Sequence, residues 1–228
     1  MRAHHSGLFI TATDTGTGKT TFATHLTRTL RSLQWRVRVR KPVESGCVRG
    51  ADGQLQPADA VALHRASGAL EHLDSVVPYR LEAAISPARA ASLEGLTLTI
   101  DQLARACRQD VEPGDFLLVE GAGGFYSPLA SDGLNADLAS HLALPLLILA
   151  PDRLGVIGHI LLTLEAAARR GLPVAGVVLN RLPDPARPAH LDNLTELSAL
   201  VGDVPLYSVL TEADMQPLAA ALARRFAR

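Results

Sequence analysis

Cysteine is scarce in this chain: only Cys47 and Cys107 occur among 228 residues. Disulfide-built folds are far denser in cysteine, so two thiols predict a reducing, cytoplasmic setting. Aromatic residues are also few, at 4%. A core must therefore rest on Leu, Val, Ile and Ala. Neither sign of charge is in surplus, the formal net charge being −1. Binding to nucleic acid or to an anionic membrane rewards a basic excess, so neither partner is expected. No apolar run approaches the roughly 20 residues of a membrane span. The apolar stretch within Met1–Ile10 is too short for a signal peptide. His4 and His5 stand near the terminus, where a pair of histidines is ordinarily inert.

What is present is a large apolar fraction, 47%, against 20% charged residues. That composition supports a sizeable core, and the length suits a single α/β domain over residues 1–228. Apolar runs of strand length alternate with helical patterns. Leu8–Ala12 reads as a first strand, and a helix follows from about Thr20 to Leu33. Arg36–Arg40 reads as a second strand, with Val37 and Val39 on one face. Arg36, Arg38 and Arg40 share the other face, which is expected to be partly open to solvent. Glu44–Ala58, with Gly46, Gly50, Gly53 and Pro57, reads as a surface loop before a short helix from Asp59. Thr99 is placed to cap a helix reaching Gln109, with Cys107 on its core side. Phe116–Val119, Leu146–Ala150, Val174–Leu179 and Leu206–Ser208 are further strands. Helices are expected over Val156–Arg170, stopped by Gly171, and over Ala189–Val201 and Met215–Phe226. Pro183, Pro185 and Pro188 interrupt the chain before the last two helices. Strands that are nearly all apolar and alternate with helices imply a mostly parallel sheet covered by helices on both faces.

The first strand runs directly into Ala12-Thr13-Asp14-Thr15-Gly16-Thr17-Gly18-Lys19-Thr20. Glycines let backbone N–H groups wrap an anion, and the start of the following helix adds unpaired donors and a positive dipole end. Lys19 supplies a point charge for the β- and γ-phosphates, and the Thr20 hydroxyl is a ligand for Mg²⁺. The common form of this loop has a glycine where this chain has Thr13. Asp14, beside phosphates, is expected to hold loop backbone rather than touch the ligand. Two carboxylates suit the metal. Glu120 closes the strand Phe116–Val119, at the carboxyl edge where ligands of open α/β sheets bind, and Gly121-Ala122-Gly123-Gly124 follows it. Asp59 opens its helix after the glycine-rich loop.

Taken in order, these pieces resemble dethiobiotin synthetase, a family with the P-loop NTPase-like fold. The phosphate loop Thr13–Thr20 looks like that family's own variant, with Ala12 where the family usually has glycine. Lys41-Pro42-Val43-Glu44-Ser45-Gly46, Asp59-Ala60-Val61-Ala62-Leu63 and Val119-Glu120-Gly121-Ala122-Gly123-Gly124 are similar to further motifs. Leu154-Gly155 opens the next element, and Asn180 ends a later strand. The resemblance covers nearly the whole chain. It implies ATP-dependent ligation of CO₂ into 7,8-diaminononanoate, with closure of a five-membered urea ring. Thr13 to Thr20 would bind ATP, with Lys19 and Thr15 on phosphate and Asn180 on adenine. Thr20, Asp59 and Glu120 would hold Mg²⁺. Lys41 and Ser45 would meet the diamine and its carbamate, and Gly121, Ala122, Gly123, Gly124 and Gly155 would line its site. A homodimer is implied as well, with the substrate near the subunit boundary. Two positions depart from the family: its Asn-His pair reads Gly158-His159 here, and its Ser-Pro-His reads Ser86-Pro87-Ala88. Both bear on how the diamine and its carboxylate are held.

Two other readings share the phosphate loop. An ATP-driven dimerisation switch of the partitioning or metal-delivery type generally carries an extra lysine early in the loop and an Asp ending the third strand. Positions 12 to 17 contain no lysine, and the strand ends in Glu120. A related ligase for another small acid would keep the loop and lose Lys41 and Ser45.

Overall fold

A computed structural model describes residues 6–181 and 188–226. His4, His5, Pro183 and Pro185 lie outside the described residues. One sheet contains six strands: β1 (Ser6–Ala12), β2 (Val37–Arg40), β3 (Phe116–Glu120), β4 (Leu146–Pro151), β5 (Val174–Asn180) and β6 (Leu206–Val209). Their spatial order is β6-β5-β4-β1-β3-β2, and each neighbouring pair is parallel. The chain builds first on one side of β1 and then crosses to the other, so β1 is central and its carboxyl end opens onto the crevice where ligands bind in such sheets.

The helices are α1 (Lys19–Ser32), α2 (Ala58–Ala66), α3 (Leu73–Val76), α4 (Pro87–Leu93), α5 (Ile100–Arg108), α6 (Asn135–Leu142), α7 (Val156–Arg169), α8 (Asn193–Ser198) and α9 (Met215–Phe226). Alternation along β1 explains the layers. Leu8, Ile10 and Ala12 share a core with Phe22 and Leu26 of α1, Leu63 of α2 and Leu218 of α9. Phe9 points to the opposite core, with Leu103 of α5, Leu138 of α6 and Ile160 of α7. Both faces are thus buried, as apolar parallel strands require. Thr99 and Gln102 form a reciprocal cap at the start of α5, and Cys107 is buried against the sheet.

The second strand differs from its expectation. Exposure of its arginine side chains falls from 49% at Arg36 through 12% at Arg38 to 1% at Arg40. Arg40 is a core residue, not part of a solvated face. Its guanidinium donates to the carbonyls of Val39 and Gln109 at 2.8 and 2.7 Å and to Glu71 Oε1 at 2.6 Å. Asp115 takes Arg36 and Arg38. The face is open to solvent at Arg36, as expected, and charged partners from the segments before α3 and β3 cover it towards Arg40. The Glu44–Ala58 loop contains short ribbons: Val43–Ser45 pairs with Tyr79–Leu81, and Val48–Arg49 with Leu55–Gln56. The helix expected over 189–201 is confined to α8, where the Asp192 side chain caps Thr195 N. The helices α4 and α6, too short for a clear periodicity, have no counterpart in the sequence reading.

Candidate active site

β1 delivers the phosphate loop to the start of α1. Gly16 and Gly18 have φ of 66° and 79°, left-handed values that other residues adopt at a cost. A Cβ on Gly16 would meet nothing within 4 Å, so conformation rather than space requires glycine there. No side chain caps the N-terminus of α1, and no acid lies in its first turn. Its first N–H groups and dipole are therefore available to an anion. Asp14 holds loop backbone: its Oδ1 accepts from Thr15 N at 2.7 Å, and its carbonyl accepts from Lys19 Nζ at 3.3 Å. From the opposite side Asn180, at the end of β5, donates Nδ2 to the Thr17 carbonyl at 2.9 Å.

Lys19 is buried, and that burial lowers its pKa to about 8, against the opposing pull of Glu120. Lys41 follows β2 directly. Its Nζ is 2.9 Å from Asp59 Oδ2 and 2.5 Å from Glu120 Oε1. Burial disfavours the Lys41 charge, but the two carboxylates outweigh it and raise its pKa above the ordinary lysine value. Burial likewise opposes the Asp59 carboxylate, yet Lys41 holds it below the usual range. The Thr20 hydroxyl donates to Glu120 Oε1 at 2.8 Å, and Glu120 Oε2 is buried without a hydrogen-bond partner.

These groups line one cleft of about 430 Å³. Thr15, Gly16, Thr17, Gly18, Lys19 and Thr20 form one wall. Lys41, Ser45, Asp59, Glu120, Ala122 and Gly123 form the rest, with Glu44 and Thr21. Ser45 spends its hydroxyl hydrogen on the Ile85 carbonyl at 2.7 Å and keeps its lone pairs. Other expected site residues lie beside this cleft. Thr13, Asp14 and Gly124 line a more apolar cavity of about 560 Å³, together with Phe125, Tyr126 and Leu162. Gly155 is the left-handed N-cap of α7, with φ 86°, and Gly121 is buried against Asn135. Asn180 acts on the loop from behind, through Thr17.

The chain is similar to known proteins over most of its length. A family model described as AAA domain matches residues 6–214. The ATP-dependent dethiobiotin synthetase BioD of Anaeromyxobacter dehalogenans (strain 2CP-C) is 40% identical over 216 residues, covering 95% of each chain. That of Cellvibrio japonicus is 43% identical over 190 residues, 83% of this chain and 82% of its own. The chain belongs to the dethiobiotin synthetase family. The septum site-determining protein MinD of Pyrococcus horikoshii, solved with Mg-ADP, superposes with a TM-score of 0.53 at 16% identity, covering 98% of this chain and 96% of that one. At that identity the likeness concerns the fold alone.

Two residues that organise this dethiobiotin synthetase site escaped sequence reasoning. Glu44 is buried, and its two carboxylate oxygens accept from Asp59 N at 3.0 Å and Ala60 N at 2.9 Å. Pro57 offers α2 no side-chain cap, so Glu44 supplies it from a distant strand and orients the turn carrying Asp59. Burial raises the Glu44 pKa, against these two N–H groups. Asn135, fully buried at the start of α6, exchanges hydrogen bonds with Ala122 and donates to the Gly124 carbonyl at 3.1 Å. It shapes the loop after Glu120. Glu44 lies inside the Lys41–Gly46 motif, but its role as a cap is not visible there, and Asn135 carries no spacing signal; each acts on backbone far along the chain.

Proposed function

We propose that the protein is an ATP-dependent dethiobiotin synthetase, converting 7,8-diaminononanoate, CO₂ and ATP to dethiobiotin, ADP and phosphate. The observation that carries this reading is the meeting of the phosphate loop with Lys41, Asp59 and Glu120 in one cleft. One substrate amine adds to CO₂, forming an N–C bond and losing a proton to give a carbamate. A carbamate oxygen attacks the γ-phosphorus, and the bond to the β–γ bridging oxygen breaks, releasing ADP. The second amine attacks the carbonyl carbon of the mixed anhydride, closes the ring and expels phosphate. No protein nucleophile is needed. Both thiols are unsuited to that role, since burial pushes Cys47 up to about 11 and Cys107 up to about 12.

The chain supplies position and charge. Gly16, Gly18 and the start of α1 cradle phosphate oxygens, with Lys19 adding a cation and Thr15 a hydroxyl. Lys41 faces the carbamate from the other wall, and Ser45 keeps acceptor lone pairs for an amine. Asn180, with Nδ2 committed to Thr17, retains Oδ1 to accept from the adenine amino group. Mg²⁺ fits the hard oxygen donors Thr20, Asp59 and Glu120, and the unpartnered Glu120 Oε2 is an open ligand position. Among the described residues no group of three or more His, Cys, Asp or Glu side chains surrounds a metal position. Water and phosphate would complete the shell, as is usual for Mg²⁺, which when bound neutralises phosphate charge.

A homodimer in the cytoplasm completes the reading. Tyr126, Leu154 and Leu162 are exposed at 50%, 76% and 66%, and Tyr126 and Leu162 also line the apolar cavity beside the loop. A second copy would cover such a surface. The loop lacks the early lysine of the dimerisation switches, which favours the synthetase. The test is ATP turnover by the purified protein with each substrate withheld in turn. Phosphate release should require both the diamine and bicarbonate. Turnover independent of the diamine, stimulated instead by a protein partner, would overturn the synthetase reading.

A further inference from the structure

Lys41 occupies the space where the three oxygen donors converge. Its ammonium touches Asp59 Oδ2 and Glu120 Oε1, and the Thr20 hydroxyl shares that same Glu120 oxygen. The Glu120 side chain is fully buried, and that of Lys41 is 6% exposed. Without a cation, two carboxylates facing each other here would leave a buried charge uncompensated. With Lys41 in place one of the two negative charges is offset, and Glu120 Oε2 is buried without a hydrogen-bond partner. A divalent ion ligated by the same carboxylates would meet an ammonium at contact distance. Like charges that close, beside a fully buried Glu120, repel strongly even though the Asp59 side chain is 43% exposed. The two cations therefore compete for one set of ligands.

We propose that Lys41 is the resident cation of the metal seat: it holds Asp59 and Glu120 together in the nucleotide-free protein and yields them when Mg²⁺ enters with the nucleotide. This rests on the assignment of Thr20, Asp59 and Glu120 to Mg²⁺ made above. The flexible four-carbon stem allows the exchange, and the cleft that Lys41 lines gives the ammonium a place to go. Free metal ion then binds poorly, because it must expel an ammonium whose desolvation the two carboxylates already outweigh. Metal carried by ATP binds well, because phosphate oxygens add ligands and offer the displaced ammonium a new anion. The same exchange delivers Lys41 to the phosphate and carbamate oxygens only after the nucleotide has arrived. Binding of metal and of nucleotide is thereby coupled, and by linkage each strengthens the other.

The experiment is a titration of Mn²⁺, read by its electron paramagnetic resonance signal, into wild-type protein and the isosteric Lys41→Met, each with and without ADP. Nucleotide-free Lys41→Met should bind Mn²⁺ about tenfold or more tighter than wild type. That gap should narrow once ADP is present. Equal or weaker metal binding by a folded Lys41→Met overturns the proposal. Circular dichroism checks its fold. If Lys41→Met does not fold, a crystal structure of the wild type with Mg²⁺ and a non-hydrolysable ATP analogue decides. Nζ should have left both carboxylates, and retention of both contacts beside a bound ion refutes the exchange. If neither protein binds Mn²⁺ even with ADP, the metal-site assignment itself fails, and the proposal with it.

Discussion

Lys19 provides a charge for phosphate, and burial has already made that charge easier to remove than an ordinary lysine's. Replacing it with alanine should cut diamine-dependent phosphate release by about 10²–10³-fold, since a charge aimed at the transferring group acts on the transition state. The folded state should persist by circular dichroism. Lys41→Ala should instead damage use of the diamine more than binding of ATP, and equal loss of both, seen by calorimetry and steady-state kinetics, would contradict its role. The two cysteines should stay unmodified by iodoacetamide in the native protein at neutral pH and react fully in denaturant, because burial holds both thiols protonated. That Lys19, Thr20 and Glu120 meet in one cleft was legible in the sequence, from the loop that opens α1 and the carboxylate that closes β3. The role of Glu44, though it lies in the Lys41–Gly46 motif, was not, and Asn135 was not legible at all. A glutamate that accepts two backbone N–H groups 15 and 16 residues away has no local pattern to announce it.

Among the elements, β1 and α1 were legible almost to the residue, since an apolar run, a glycine loop and an amphipathic helix follow one another without interruption. The strand β2 shows where such reading stops. Period two separates its arginines from its valines correctly, but alternation alone does not say whether the polar face meets water or a neighbouring carboxylate. The structure supplies Glu71, Glu112 and Asp115 from remote segments. Arg40→Ala should therefore destabilise the protein by about 3–5 kcal/mol, the usual penalty for stranding one partner of a buried pair, as measured by urea unfolding. Burial opposes the Asp115 carboxylate, but Glu112 N–H and Arg38 hold its pKa below the usual range. A depressed folded-state value contributes stability above the unfolded value of about 4 and loses it as pH falls through the folded one. The melting-temperature gap between wild type and Asp115→Asn should thus be largest near neutrality and close in acid. At α2, Glu44→Ala removes the distant cap. It should cost about 1–2 kcal/mol of stability and raise the Mg²⁺ concentration needed for half-maximal activity.

At the scale of the whole molecule, strand order β6-β5-β4-β1-β3-β2 gathers the carboxyl ends of β1 and β3 beside the end of β2. Residues 19, 41, 59 and 120 thereby meet in one cleft from four separate segments. The parallel sheet was legible from its apolar strands, whereas the order of those strands was not, because no strand sequence names its neighbour. Gly158 leaves open space on the exposed face of α7. Exposed Leu154 and Leu162 flank it in sequence. Light scattering should give a mass twice the 24.2 kDa of one chain, and Leu162→Asp should shift it towards the monomer. The most direct measurement is mass spectrometry of the products formed from ATP, carbon-13 bicarbonate and 7,8-diaminononanoate. Dethiobiotin carrying one labelled carbon in its ureido group, matched mole for mole by ADP and phosphate, is the expected result. Hydrolysis of ATP with the diamine recovered unchanged and unlabelled would contradict the assignment of this cleft to carboxylation and ring closure.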